Sequence, residues 1–270
     1  MRTERLILVM GFAFAAVACA SGGSSQTPPV AAAKLYDPAA LPPGPLGAQI
    51  VAGHDLFENT HARMPSYVTA RMNCSACHVN AGTVARAGDL VGVYAHFPQW
   101  NKRARRVIAL QDRIAECFLY SMDGTPPAHD SKEMNAMVAY ISWISRGTPV
   151  LASPDPGVDF KLPEPSVSPN VANGATIYAQ KCASCHQANG NGLALSVPPL
   201  WGRDSFNAGA GMHRLGEMAG FVHYNMPQNA PGSLTPEQSY DVAAFVLKHA
   251  RPAFAKNRAV SFPSQPASFF

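Results

Sequence analysis

Cys74-Ser-Ala-Cys77-His78 and Cys182-Ala-Ser-Cys185-His186 decide how this 270-residue chain is read. Each is a Cys-x-x-Cys pair with histidine directly after it, the signature of covalent haem attachment. The two thiols add across the haem vinyl groups, and the imidazole becomes the proximal iron ligand. One such motif can arise by chance, but two in one short exported chain set aside a disulfide pair, a thioredoxin-like redox pair and a zinc site. The sequence therefore predicts two covalently bound haem c groups, with Cys74, Cys77 and His78 holding one and Cys182, Cys185 and His186 the other. Of the six cysteines, only Cys19 and Cys117 lie outside these motifs.

Working outward, 47% of the residues are hydrophobic and 14% charged, with a formal charge of +4. That balance can bury a core. It carries no basic run, so nucleic acid is not an expected partner. Arg2 and Arg5 precede an apolar stretch, Leu6 to Ala18, which reads as an export signal and is short for a membrane span. Residues 1–20 are thus a signal peptide, with two cleavage readings. Ala18-Cys19-Ala20 suits a small-x-small site. Alternatively, Cys19 ahead of a Ser/Gly stretch suits lipidation and a membrane anchor. Either way the periplasm is the expected location. Residues 21–45 read as a flexible linker and 257–270 as a tail.

An internal repeat organises the rest. Gly53-His-Asp-Leu56-Phe57 precedes the first haem motif, and Gly174-Ala-Thr-Ile177-Tyr178 precedes the second. Glycine there permits close helix crossing, and the aromatic covers a haem edge. Amphipathic helices are predicted from about Ser131 to Ser145 and from Pro236 to His249, the latter with Thr235 as cap and proline in the first turn. This order resembles the cytochrome c fold. The expected fold class is all-α, two cytochrome c-like domains at 46–147 and 170–256 joined by a Pro-rich linker at 148–169. The spacing between aromatic and motif differs: Phe57 to Cys74 is 17 positions, Tyr178 to Cys182 only four, so the first half has an extra loop, Thr60 to Asn73.

Distal ligands decide the chemistry. Met226, before Pro227 and 40 positions after His186, is the methionine expected of an electron-transfer haem; His213 and His223 are the alternatives. The first half has no Met-Pro. Cys117 lies 39 positions after His78, on a helix read as running from Arg106 to Phe118, and is the leading distal candidate over Met122, His96 and His129. Thiolate favours ferric iron, and a thiolate beside cations is a nucleophile. On an extended helix Arg113 and Arg106 flank Cys117, and Arg103 joins them if the helix reaches that far; Arg63 and Arg86 lie in nearby loops. Arginines also bind haem propionates, but so many around one thiol point to an anionic substrate.

The stretch Asn73 to His78, with Ala81-Gly82, Phe97-Pro98, Arg103, Asp112-Arg113-Ile114, Cys117-Phe118, Ser121-Met122-Asp123-Gly124 and Tyr140-Ile141-Ser142-Trp143, resembles the dihaem thiosulfate dehydrogenases. The resemblance implies His78/Cys117 ligation of a catalytic first haem, with Arg103 and Arg113 binding thiosulfate, and an electron-transfer second haem. It implies oxidation of two thiosulfates to tetrathionate, or the reverse, through a covalent sulfur adduct on Cys117, with electrons passing to a soluble cytochrome c or similar acceptor. Some members carry a lysine just before the distal methionine; Asn225 stands there, so lysine/methionine exchange is not available. Two other readings are a non-catalytic dihaem carrier and a haem subunit of a sulfur-carrier complex. Turnover of free thiosulfate separates the three.

Overall fold

The computed structural model describes residues 36–150, 160–194 and 196–254. The export signal, Cys19, much of the 21–45 linker, the centre of the Pro-rich linker and the tail lie outside the described residues. No helix among the described residues is long and apolar enough to cross a membrane.

The first half runs through α1 (Pro45–Glu58), α2 (Thr60–Arg63), α3 (Val79–Gly82), a two-stranded hairpin β1 (Gln99–Asn101) and β2 (Arg106–Ile108), α4 (Leu110–Tyr120) and α5 (Lys132–Ile144). The second comprises α6 (Val171–Lys181), α7 (Ala183–His186), α8 (Leu215–Asn225) and α9 (Pro236–Lys248). In each half the first and last helices pack across one another, α1 on α5 and α6 on α9, and α8 also packs on α9. Side chains cap the last helix of each half, at Thr235 as expected. The Ser131 hydroxyl accepts from Met134 N at 3.1 Å. Thr235 and Gln238 cap each other reciprocally, at 3.2 and 2.9 Å.

The repeated glycines lie at these crossings. A Cβ on Gly53 would meet the Ala136 carbonyl oxygen at 2.1 Å, and one on Gly174 the Asp241 carbonyl oxygen at 2.0 Å. The α1–α5 seam buries Ile50, Leu56, Phe57, Met134, Met137, Tyr140, Ile141 and Ile144. Each such burial contributes about 1.5–3 kcal/mol, whereas an exposed ion pair such as Arg63–Asp55, at 2.7 Å, contributes about 0–1 kcal/mol. Apolar packing therefore sets the crossing.

The structure is mainly helical, with one departure from the all-α expectation that also corrects a helix boundary. The helix bearing Cys117 begins at Leu110, not Arg106. Val107 is β-branched and pairs with Trp100 across the hairpin, as Ile108 does with Gln99. The Asp112 carboxylate then accepts from Ala109 N at 2.9 Å, starting α4.

The two halves pack as one compact unit. The extra loop Thr60 to Asn73 accounts for part of this. Arg71 N donates to the Asp204 carbonyl at 2.8 Å, and the Arg71 guanidinium reaches the carbonyls of Asn191 and Ala194. The described end of the Pro-rich segment is an ordered strap: Leu162 is buried, and Tyr240 Oη donates to the carbonyls of Leu162 and Pro163 at 3.1 and 2.7 Å.

Gly53→Ala should cost roughly 1–3 kcal/mol by overpacking the α1–α5 crossing, as should Gly174→Ala at the other. Denaturant unfolding of the holoprotein checks this; a midpoint unchanged in both variants would show that the crossings yield.

Candidate functional site

Each haem motif sits on a tight helical turn, the second directly at the end of α6 and the first after the extra loop that follows α1 and α2. In the first half Cys74–Ala76 forms one 3-10 turn, with His78 N bonded to the Cys74 carbonyl at 2.9 Å. Thr60, fully buried, receives Cys74 N at 2.9 Å on its hydroxyl, which lies 3.2 Å from Cys74 Sγ. In the second half α7 carries Cys182 to His186, with His186 N on the Cys182 carbonyl at 2.8 Å.

The histidines are held alike. His78 Nδ1 faces the Gly88 carbonyl at 2.5 Å, and His186 Nδ1 the Pro198 carbonyl at 3.0 Å. An Nδ1–H donating to a carbonyl leaves Nε2 with its lone pair available to a metal. Burial depresses the pKa of both rings, keeping them neutral. Burial also pushes the thiols of Cys74 and Cys77 up to about 12, and that of Cys182 up to about 11. These thiols stand where thioether sulfurs would be. A haem fits both halves. Trp143 Nε1 in the first, and His213 Nδ1 and Arg251 Nε in the second, are buried without a hydrogen-bond partner among the described residues. Propionates would supply the acceptors.

Cys117 lies on α4, half-buried, its thiol donating to the Arg113 carbonyl at 3.5 Å, and its charge adds to the burial that raises the pKa of Cys74 and Cys77. Of the alternatives, Met122 is in the apolar core and His129 approaches Asp112 at 3.5 Å. Burial raises the Cys117 thiol pKa; Arg113 pulls it back, Glu116 adds to the rise, and Arg103 again opposes it. The Arg113 charge also adds to the burial that lowers the His78 pKa. One turn before Cys117, Arg113 pairs with buried Glu116 at 3.0 Å. Asn101 Nδ2 also donates to both Glu116 oxygens at 3.1 Å.

Arg103 reaches the site by a different route from the one expected. It sits in the β1–β2 turn, lies over the Tyr120 ring at 4.0 Å and donates to the Gly209 carbonyl at 3.2 Å. Arg106 does not flank the thiol. Its guanidinium makes two bonds to Asp112, at 3.2 and 3.0 Å. Arg63 pairs with Asp55, and Arg86 lies over the Tyr224 ring at 4.8 Å. The cationic flank of Cys117 thus comes from Arg103 and Arg113. Sequence reasoning missed Tyr120, Glu116 and Gly88; the i,i+3 spacing of Arg113 and Glu116 was a signal for one of them.

In the second half Met226 ends α8, partly buried against the core. His223 Nδ1 is tied to the Leu234 carbonyl at 2.9 Å, and His213 lies on a short 3-10 turn. Asn225 Nδ2 donates to the Arg86 carbonyl at 2.7 Å and to Phe221 at 3.2 Å.

Residues 53–150 match the SoxA/TsdA cytochrome c domain family, and residues 171–250 the cytochrome c family. The chain is 39% identical over 241 residues to a thiosulfate dehydrogenase of Allochromatium vinosum, covering 85% of this chain and 88% of that protein. It is also 39% identical over 217 residues to one of Stutzerimonas stutzeri, covering 78% and 70% respectively. Among solved structures, the thiosulfate dehydrogenase TsdBA of Marichromatium purpuratum matches with a TM-score of 0.77 at 32% identity, over 86% of this chain. This chain spans 53% of that protein's length.

At Gly88 (φ +65°) a Cβ would meet the Cys77 carbonyl oxygen at 2.3 Å and His78 Nδ1 at 2.9 Å. Gly88→Ala should therefore displace the His78 ring and perturb haem 1 alone. Haem stoichiometry and the absorption spectrum report this; a change confined to the second haem would contradict it.

Proposed function

We infer that thiosulfate is the substrate of this chain from a plain premise: the chain belongs to the thiosulfate dehydrogenase family, dihaem cytochromes c with one covalent haem in each half. It oxidises two thiosulfates to tetrathionate. The observation that carries this reading is the Cys117 thiol on α4, 3.5 Å from the Arg113 carbonyl one turn before it, with the Arg103 guanidinium over the Tyr120 ring on the same helix.

In this proposal Cys74 and Cys77 would attach haem 1, and His78 and Cys117 would hold its iron. Cys182 and Cys185 would attach haem 2, and His186 and Met226 would hold its iron. When bound, the haems would supply one-electron acceptors for the two electrons of the reaction, thiolate favouring ferric iron at the first and thioether ferrous iron at the second, with a cytochrome c or similar protein as the proposed final acceptor.

The chain's own groups do the rest. Arg103 and Arg113 offer charge-assisted hydrogen bonds to the sulfonate end of thiosulfate, turning its terminal sulfur to Cys117. A bond forms between the Cys117 sulfur and that terminal sulfur, and two electrons leave. The product is Cys117–S–S–SO3⁻. The terminal sulfur of a second thiosulfate attacks the outer sulfur of this adduct. The bond to Cys117 breaks, tetrathionate departs, and Cys117 returns as thiolate. The same bonds run in reverse for tetrathionate reduction. Periplasmic location completes the proposal, supported by the charged and apolar N-terminal pattern.

Cys117→Gly should retain two haems and lose nearly all thiosulfate oxidation. Cys117→Met is the stricter case, because methionine can ligate iron but cannot carry the adduct. Native turnover in that variant would end the covalent mechanism.

Each bond to the dianion is worth about 1.5–3 kcal/mol, so Arg103→Gln and Arg113→Gln should each lower kcat/KM by about tenfold or more with haem content intact. Loss of haem with retained activity would assign the arginines to propionates instead.

A further inference from the structure

The segment Ser205–Ala210 of the second half lies against the C-terminal end of α4 in the first. Asn207, within it, is fully buried. Its side-chain amide donates to the Leu119 carbonyl at 2.8 Å and to the Asp123 carboxylate at 3.2 Å. Its side-chain oxygen accepts from Gly209 N at 2.8 Å. The Gly209 carbonyl in turn accepts from the Arg103 guanidinium at 3.2 Å. Tyr120, over which that guanidinium lies, directly follows Leu119 on α4. Asn207 therefore ties together the two things that hold Arg103: the α4 end that presents the ring and the turn that presents the carbonyl.

Arg103 needs such holding. It is exposed, it projects from a hairpin turn rather than from a helix, and a free arginine samples many rotamers. A guanidinium fixed in advance loses less freedom when it binds an anion. The turn is itself constrained. A Cβ on Gly209 would meet the Phe254 ring at 2.7 Å, and Ala208 N donates to the Pro252 carbonyl at 2.9 Å.

We propose that Asn207 is a positioning residue for the substrate anion: by clamping the Ala208–Gly209 turn onto α4 it holds Arg103 beside Cys117. The anion site of the first half is then complete only with the second half docked on it. This rests on the role given to Arg103 above.

The test is a double-mutant cycle on the two-haem holoprotein, with sulfate as an unreactive dianion probe. Its affinity is read by calorimetry and by competition with thiosulfate. Asn207→Ser should weaken sulfate binding about three- to tenfold and raise KM by the same factor with kcat nearly unchanged. In an Arg103→Gln background the same change should have no further effect, because Asn207 acts through Arg103. Effects that add, or an affinity that Asn207→Ser leaves unchanged, would overturn the proposal. So would wild-type protein that binds no sulfate.

A second measurement needs no variant at Asn207. By linkage, sulfate should slow amide exchange across 207–210 in the wild type and not in Arg103→Gln. Exchange that sulfate does not alter also overturns the proposal. Wild-type protein that oxidises no thiosulfate would sink the function proposed above, while the sulfate cycle and the exchange measurement would still decide this one.

Discussion

At Gly53 the backbone of α1 passes so near α5 that a methyl carbon would sit 2.1 Å from the Ala136 carbonyl oxygen, and Gly174 repeats the arrangement on α9. These crossings frame both haem sites. Each brings a buried aromatic, Phe57 or Tyr178, beside the turn that carries the cysteines and histidine. Phe57 lies 6.5 Å from the His78 ring and 5.3 Å from Tyr140. Tyr178 packs against Trp201 and Phe245 at 5.2 and 5.3 Å. A wider crossing would separate these rings and loosen the attachment turns. Glycine is required by the close approach of backbones, not by an unusual φ.

On that common frame the halves diverge in polarity. Around His186 the held ring faces the Pro198 carbonyl, and the partly buried Met226 adds no charge. Around His78 two cations act on one half-buried thiol. Burial alone would keep Cys117 protonated; Arg113 and Arg103 oppose burial, and Glu116 opposes them. Glu116 is buried, and its carboxylate is fully engaged by Arg113 and Asn101. The pairing orders Arg113 on α4 and tempers its charge.

The second half contributes more than a relay. Arg71, Asn207 and Asn225 bond across to the other half through backbone carbonyls. Such bonds depend on the fold of both partners rather than on a single side-chain pair. They make the two halves one body, with Arg103 at the seam between them.

Much of this was legible in the residues themselves. The attachment motifs, the repeated glycine-aromatic pattern and the helix cap at Thr235 rest on short-range chemistry that sequence distance preserves. The arginines did not follow from spacing. Arg106 was placed on the Cys117 helix because Arg106 to Phe118 suits helical periodicity. Strand pairing across the hairpin and capping by Asp112 moved the helix start to Leu110 and turned Arg106 toward that carboxylate. Arg103 came to the site through a ring on α4 and a carbonyl more than a hundred residues away. The sequence by itself determined the two haem motifs and how each half folds. Only the tertiary structure decided which cations meet the thiol, because those contacts join segments that no local periodicity relates.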